Sequence, residues 1–78
     1  MKEVFLPELG EGIEKAVVAL WHCHEGDRVS QEDDIVELVT DKASFLVPAP
    51  VSGKIKQILV KEGQEAKIGE ALATIDPN

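Results

Sequence analysis

The chain has 78 residues, with eight Lys or Arg against fifteen Asp or Glu and a net charge of −7. Such a length makes one small domain that buries only about 60% of its unfolded surface, too thin a core to frame a large catalytic cleft. The acidic balance is the reverse of what a phosphate backbone attracts, which excludes nucleic acid; no run is long and apolar enough to span a membrane; and the one cysteine, Cys23, permits no internal disulfide, which fits a reducing compartment.

Lys2 to Leu6 reads as a short strand ended by Pro7, an apolar run too brief to be a secretion signal. Glu8-Leu9-Gly10-Glu11-Gly12 follows as a loop whose glycines permit positive φ. Gly-Glu-Gly is not a phosphate loop, because the downstream glycine, the Lys-Ser/Thr pair and a clear following helix are missing. Ala16 to His24 is β-branched, aromatic or apolar and stops at the turn signal Glu25-Gly26-Asp27, so a strand is expected there. Within it, His22-Cys23-His24 has metal-ligand residue types. On a strand, however, alternate side chains point to opposite faces, which puts the two histidines together, Cys23 in the core and no further ligand nearby. The same alternation separates thiol from imidazole and removes a Cys-His catalytic pair.

Ile35 to Val39 and Phe45 to Val47 are two apolar runs joined by Thr40-Asp41-Lys42-Ala43, which reads as a hairpin with Asp41 shaping the turn. Lys42 is then presented at the tip, its amine in water and within reach of another protein, although any single lysine is most simply a solubilising one. Phe45 and Val47 should face inward and Leu46 outward. Glu37 and Asp41 have no second layer to hold a substrate between them, so they read as surface acids. All of the net charge lies in residues 1–42, which hold eleven acids and four bases. Glu32, Asp33, Asp34, Glu37 and Asp41 are either ordinary solvated charge or an acidic flank beside Lys42 that steers basic partner enzymes. Pro48-Ala49-Pro50 and Ser52-Gly53 turn the chain into its second half.

A shift of 37 residues maps Val18, Trp21 and Cys23 onto Ile55, Ile58 and Val60, and Glu25-Gly26 onto Glu62-Gly63. It also maps Val29 onto Ala66, Ile35 onto Leu72 and Leu38 onto Ile75. In both copies the apolar spacing is three and then two, a lapse in alternation that implies a bulge or a strong twist in the strand. Trp21, matching Ile58, is expected in the core. Two β-halves, each too small to bury its own face, are expected to pack about an approximate two-fold axis as a flattened barrel or sandwich. Val60 to Leu72, the one other helix candidate, contains Gly63 and Gly69 and lacks helical spacing. The counterpart of the Lys42 turn falls after Ile75, so symmetry sets the lysine opposite the termini.

Asp-Lys-Ala at a hairpin tip, Leu9-Gly10-Glu11-Gly12-Ile13 near the start and a Glu-Gly pair in each half resemble the lipoyl domain of the 2-oxo acid dehydrogenase acyltransferases, in the biotinyl/lipoyl carrier family, from Val4 to Asp76. The resemblance implies an all-β barrel-sandwich hybrid of two pseudo-two-fold related four-stranded antiparallel sheets over residues 1–76, with residues 77–78 beginning a linker. It implies that Lys42 carries lipoate in amide linkage, with Asp41 and Ala43 flanking it for recognition. The domain would itself be a non-catalytic carrier, its arm taking acyl groups and electrons between active sites. Implied partners are a lipoate ligase or lipoyl/octanoyl transferase, a thiamin-diphosphate 2-oxo acid decarboxylase, an acyltransferase catalytic domain and dihydrolipoamide dehydrogenase, with no nucleic acid and no membrane. Pyruvate is the first choice of 2-oxo acid, ahead of branched-chain acids, in the bacterial cytoplasm or the mitochondrial matrix. The glycine loop would lie near the lysine and help partners tell lipoyl domains apart.

Three rivals stand beside that implication. Biotinyl domains flank their lysine with methionines, where this chain has Asp41 and Ala43; the glycine-cleavage carrier is longer and lacks Gly-Glu-Gly; an unmodified adaptor domain needs no lysine at its tip. Lys15, often Glu in the family, and His22 and His24, where apolar and basic residues are frequent, depart from the usual pattern without touching the lysine motif.

Overall fold

The computed structural model describes residues 1–77, and among these there is no helix. The strands are β1 (Lys2–Phe5), β2 (Lys15–Trp21), β3 (Arg28–Val29), β4 (Asp34–Val39), β5 (Ser44–Pro48), β6 (Gly53–Ile58), β7 (Glu65–Lys67) and β8 (Ala71–Asp76). They form two four-stranded antiparallel sheets, ordered β1-β8-β6-β3 and β5-β4-β2-β7. Among the described residues no ladder joins the sheets, so the architecture is a sandwich and not a closed barrel. Of the two residues read as the start of a linker, Pro77 follows β8 and Asn78 lies outside the described residues.

The 37-residue repeat is the symmetry of this sandwich. It carries β2, β3 and β4 onto β6, β7 and β8, while β1 corresponds to β5, with Val4 and Leu6 matching Val47 and Ala49. Each sheet borrows from the other half: β3 pairs with β6, and β7 with β2. The central apolar set is likewise duplicated, Val18, Ile35 and Leu38 facing Ile55, Leu72 and Ile75, all fully buried. Each such side chain contributes about 1.5–3 kcal/mol of burial, and neither set is covered without the other.

The lapse in spacing is a bulge in both halves. The β2–β4 register shifts between Val18 and Leu20, and the β6–β8 register shifts between Ile55 and Gln57, the same place after a shift of 37. An extra residue in one strand bends it and strengthens its twist, which curls both sheets around the shared core.

The strand expected to reach His24 ends instead at Trp21. The cause comes from the other half: the Trp21 N–H donates to a Glu62 carboxylate oxygen at 2.8 Å, and the corresponding Ile58 N–H donates to Glu25 at 2.8 Å. The Glu-Gly turns are thus reciprocal caps. Gly26 N–H donates to Ile55 O at 2.7 Å and Gly63 N–H to Val18 O at 2.8 Å, both glycines having positive φ. Beyond the capped residue, His22 N–H reaches Ile35 O and Leu59 N–H reaches Leu72 O, each at 2.8 Å.

One position keeps the backbone match of the turns but breaks the match of residue type. Gly69 has φ 86°, and its counterpart is Glu32 at φ 77°, the one non-glycine residue with positive φ among those described. A side chain there costs about 1–2 kcal/mol of left-handed strain, partly offset by the smaller unfolded entropy of a non-glycine residue. Glu32→Gly should therefore raise stability by up to about 1 kcal/mol, read as a higher urea midpoint at unchanged slope; a clear loss would overturn the strain argument. Glu62→Ala leaves a partly buried N–H unsatisfied and should cost about 1–3 kcal/mol, whereas Glu25→Ala exposes its N–H to water and should cost less than about 1. Equal midpoints for the two variants would show that the caps are not asymmetric in this way.

Candidate functional site

Residues 40–43 connect β4 to β5, whose ladder runs up to the Val39–Ser44 pair. Thr40 N–H donates to Ala43 O at 2.8 Å and closes the loop. The Thr40 hydroxyl then donates to Ala43 O at 3.0 Å and accepts from the N–H groups of Lys42 and Ala43 at 3.2 and 3.1 Å. One donor and two acceptor positions are all that a hydroxyl has, so Thr40 is fully used in holding this turn. Asp41, expected to shape it, makes none of these bonds; its side chain is exposed beside Lys42. The physical reason is that the side chain opening the loop faces back into it, while the next one points away.

Lys42 is exposed, as the sequence implied, and its ammonium enters no ion pair with the described residues. Its Nζ lies 3.7 Å from where a Cβ on Gly12 would stand, which brings the glycine loop and the lysine hairpin together as expected. Gly12 has φ 83°, and the loop is tightened by Ile13 N–H donating to Gly10 O at 3.2 Å. Leu46 points outward, Val47 is buried and Phe45 packs against the core.

Of the two readings of the acidic residues, a flank gathered beside Lys42 is not the one their placement supports. Glu32, Asp33 and Asp34 sit before or at the start of the six-residue β4, whereas Lys42 lies beyond its end, and five steps of strand separate the two by roughly 17 Å. Asp33 is engaged as a cap on Ser30 N–H at 2.8 Å. Glu37 Oε1 lies 3.7 Å from His22 Nε2. The acids that do lie beside the lysine turn are Asp41, with Glu14 and Glu65 across a shallow depression.

His22 and His24 do not share a strand face, since β2 has ended; His22 turns to Glu37 and His24 Nδ1 to Asp27, 3.5 Å away. Cys23 is buried and its thiol reaches Ile35 O at 3.9 Å. Burial, with the Asp27 carboxylate adding to it, pushes this thiol's pKa up, the opposite of what a nucleophile or metal ligand requires. Among the described residues no three His, Cys, Asp or Glu side chains are grouped as a metal site. Trp21 is a core residue, its indole N–H donating to Val60 O at 2.8 Å.

Residues 2–75 match a family model described as "Biotin-requiring enzyme". The dihydrolipoyllysine-residue acetyltransferase component of the pyruvate dehydrogenase complex is 35% identical in Staphylococcus aureus and 36% in Staphylococcus epidermidis, over 74 residues and 95% of this chain. The chain spans only 17% of the length of those relatives. The solution structure of the lipoyl domain of the 2-oxoglutarate dehydrogenase complex from Azotobacter vinelandii superposes with a TM-score of 0.77 at 32% identity, covering 95% of this chain and 94% of that one.

Sequence reasoning passed over Thr40. The available signal was its place at the mouth of a short loop, where Ser and Thr hydroxyls bond backbone two and three residues on. Thr40→Val should free the Lys42 and Ala43 amides by about 1 kcal/mol, speeding their hydrogen exchange roughly fivefold, while Thr40→Ser retains protection. Unchanged exchange in the valine variant would show that the closing Thr40–Ala43 backbone bond suffices.

Proposed function

We propose, since this chain belongs to the biotinyl/lipoyl carrier family as one of its lipoyl domains, that Lys42 is the residue taking lipoate in amide linkage. What carries the assignment is a single arrangement: an exposed amine with no ion-pair partner among the described residues, on a turn whose hydrogen bonds Thr40 completes. A free primary amine is the donor an amide needs, and nothing in the turn must move to release it. When attached, lipoate supplies a dithiolane able to carry an acyl group and a pair of electrons.

The chain's own part in attachment is presentation. A lysine amine is almost wholly protonated at neutral pH and is then no nucleophile. With no carboxylate paired to it, the base and the activated acyl donor both come from a ligase or transferase. Asp41 and Ala43 flank the amine, the one adding a carboxylate and the other, a small side chain, leaving the approach open. Amide formation deletes the lysine's positive charge and makes the domain one unit more acidic than −7.

The relatives named above support a place in the acyltransferase component of a 2-oxo acid dehydrogenase complex, with pyruvate as the first 2-oxo acid to test. On that reading the arm visits a thiamin-diphosphate decarboxylase, the acyltransferase catalytic domain and dihydrolipoamide dehydrogenase in turn. Tethering keeps its local concentration on the order of mM for a short linker.

Intact mass after incubation with a lipoate ligase, ATP and lipoate should show one lipoyl group added, and none in Lys42→Ala or Lys42→Arg. A parallel incubation with biotin ligase and biotin should leave the mass unchanged. Lipoylation that survives in both Lys42 variants would move the site elsewhere, and biotin uptake would replace the cofactor.

A further inference from the structure

The pseudo-two-fold supplies an internal comparison for the exposed positions of β2 and β4, because there residues 37 apart occupy matching registers in β6 and β8. Val17 and Val39 are cross-strand partners on the outer face of the sheet that carries Lys42, and each remains about two-fifths exposed, at 39% and 40%. Their counterparts in the other half are Lys54 and Asp76, likewise cross-strand partners. The fold thus accepts an opposite-charge pair at this register, the ordinary solution for a solvated face. Beside the lysine it has two valines instead.

These valines floor the shallow depression beside the turn, of about 530 Å³, which Gly12, Ile13 and Asp41 also line. That volume is within the range of small-ligand sites, and here the apolar side chains share the lining with four charged ones, Glu14, Lys15, Asp41 and Glu65. The ion pair of Lys15 with Glu65, at 3.5 Å, contributes to the rim. Gly12 is also the residue over which Lys42 lies, with Nζ 3.7 Å from the position of a Cβ there. The amine therefore stands beside a depression of mixed apolar and charged lining, and a chain extended from Nζ begins near its edge.

We infer that the Val17–Val39 floor is a resting berth for the apolar part of an eight-carbon acyl arm on Lys42, a dithiolane-bearing or plain octanoyl chain. The inference rests on Lys42 being the attachment site. The arm lies against the valines between visits to partner enzymes and leaves them for the partner's site. Its occupancy is low enough to exchange, because the depression is open to solvent on one side and offers two methyl-bearing side chains and Ile13, not an enclosed cavity.

The test uses the domain loaded with octanoate or with lipoate by a ligase and ATP, its acylation verified by intact mass, with valine methyls labelled for NMR. Nuclear Overhauser contacts are expected from arm methylenes to Val17 and Val39 methyls, and acylation should shift these methyls more than those of Val29 and Val51. The double variant V17K/V39D installs the pair that the other half already carries. It should fold, acquire the same mass, lose the contacts and leave the arm measurably more mobile. A fully acylated wild-type domain with no such contacts, or contacts that persist in V17K/V39D, would overturn the berth and leave the attachment site standing. An absence of any mass gain would overturn the attachment reading and the berth with it.

Discussion

Neither half of this chain can bury its own apolar face, and the whole structure follows from that constraint. Val18, Ile35 and Leu38 are sealed only when Ile55, Leu72 and Ile75 are laid over them. The halves are also interlocked at their edges, since β3 and β7 each join a sheet built mainly by the other half. The carboxylates of Glu25 and Glu62 then close each half's strand from across the axis. Burial supplies the main driving force, and these crossings determine which of the possible pairings of two small β-halves is adopted.

A platform of this kind suits a carrier. Tight packing leaves the backbone at the base of the lysine hairpin little freedom, because Leu38 and Val47 on its two strands are buried on the inner side. Thr40 extends that order through the turn by using its whole hydrogen-bonding capacity locally. The exposed side chain of Lys42 is then where freedom begins. A partner meets the lysine at a fixed point and orientation, so the ordering entropy of the turn has already been met in folding and need not be met at each encounter.

Much of this was legible in the sequence because the repeat states the packing twice. Val18 with Ile55, or Gly26 with Gly63, is weak evidence singly, but two copies of one spacing exclude most alternatives, and they located both bulges and both turns. What escaped depends on contacts between halves or on rotamers. The end of β2 at Trp21 is caused by Glu62, 41 residues away, and no local pattern announces it. The role of Thr40 against Asp41 turns on which side chain faces into a four-residue loop. The acidic run at residues 32–34 is near Lys42 in sequence yet remote in space, because the strand between them is fully extended.

The symmetry also separates what the fold requires from what it does not. Where the halves agree, as in the caps, bulges and buried triads, the residue types are explained by folding alone. Where they differ, folding has already shown that another residue type serves. Nine residues join β1 to β2 but only four join β5 to β6, and the extra length is what brings Gly12 beside Lys42. The turn holding Lys42 corresponds to the gap between the end of β8 and the start of β1, where the second half needs no turn at all. Val17 and Val39 stand where Lys54 and Asp76 suffice. These three departures fall at one end of one sheet, around one amine, while others, such as Glu32 for Gly69, lie elsewhere; a requirement of stability gives no reason for the three to gather there.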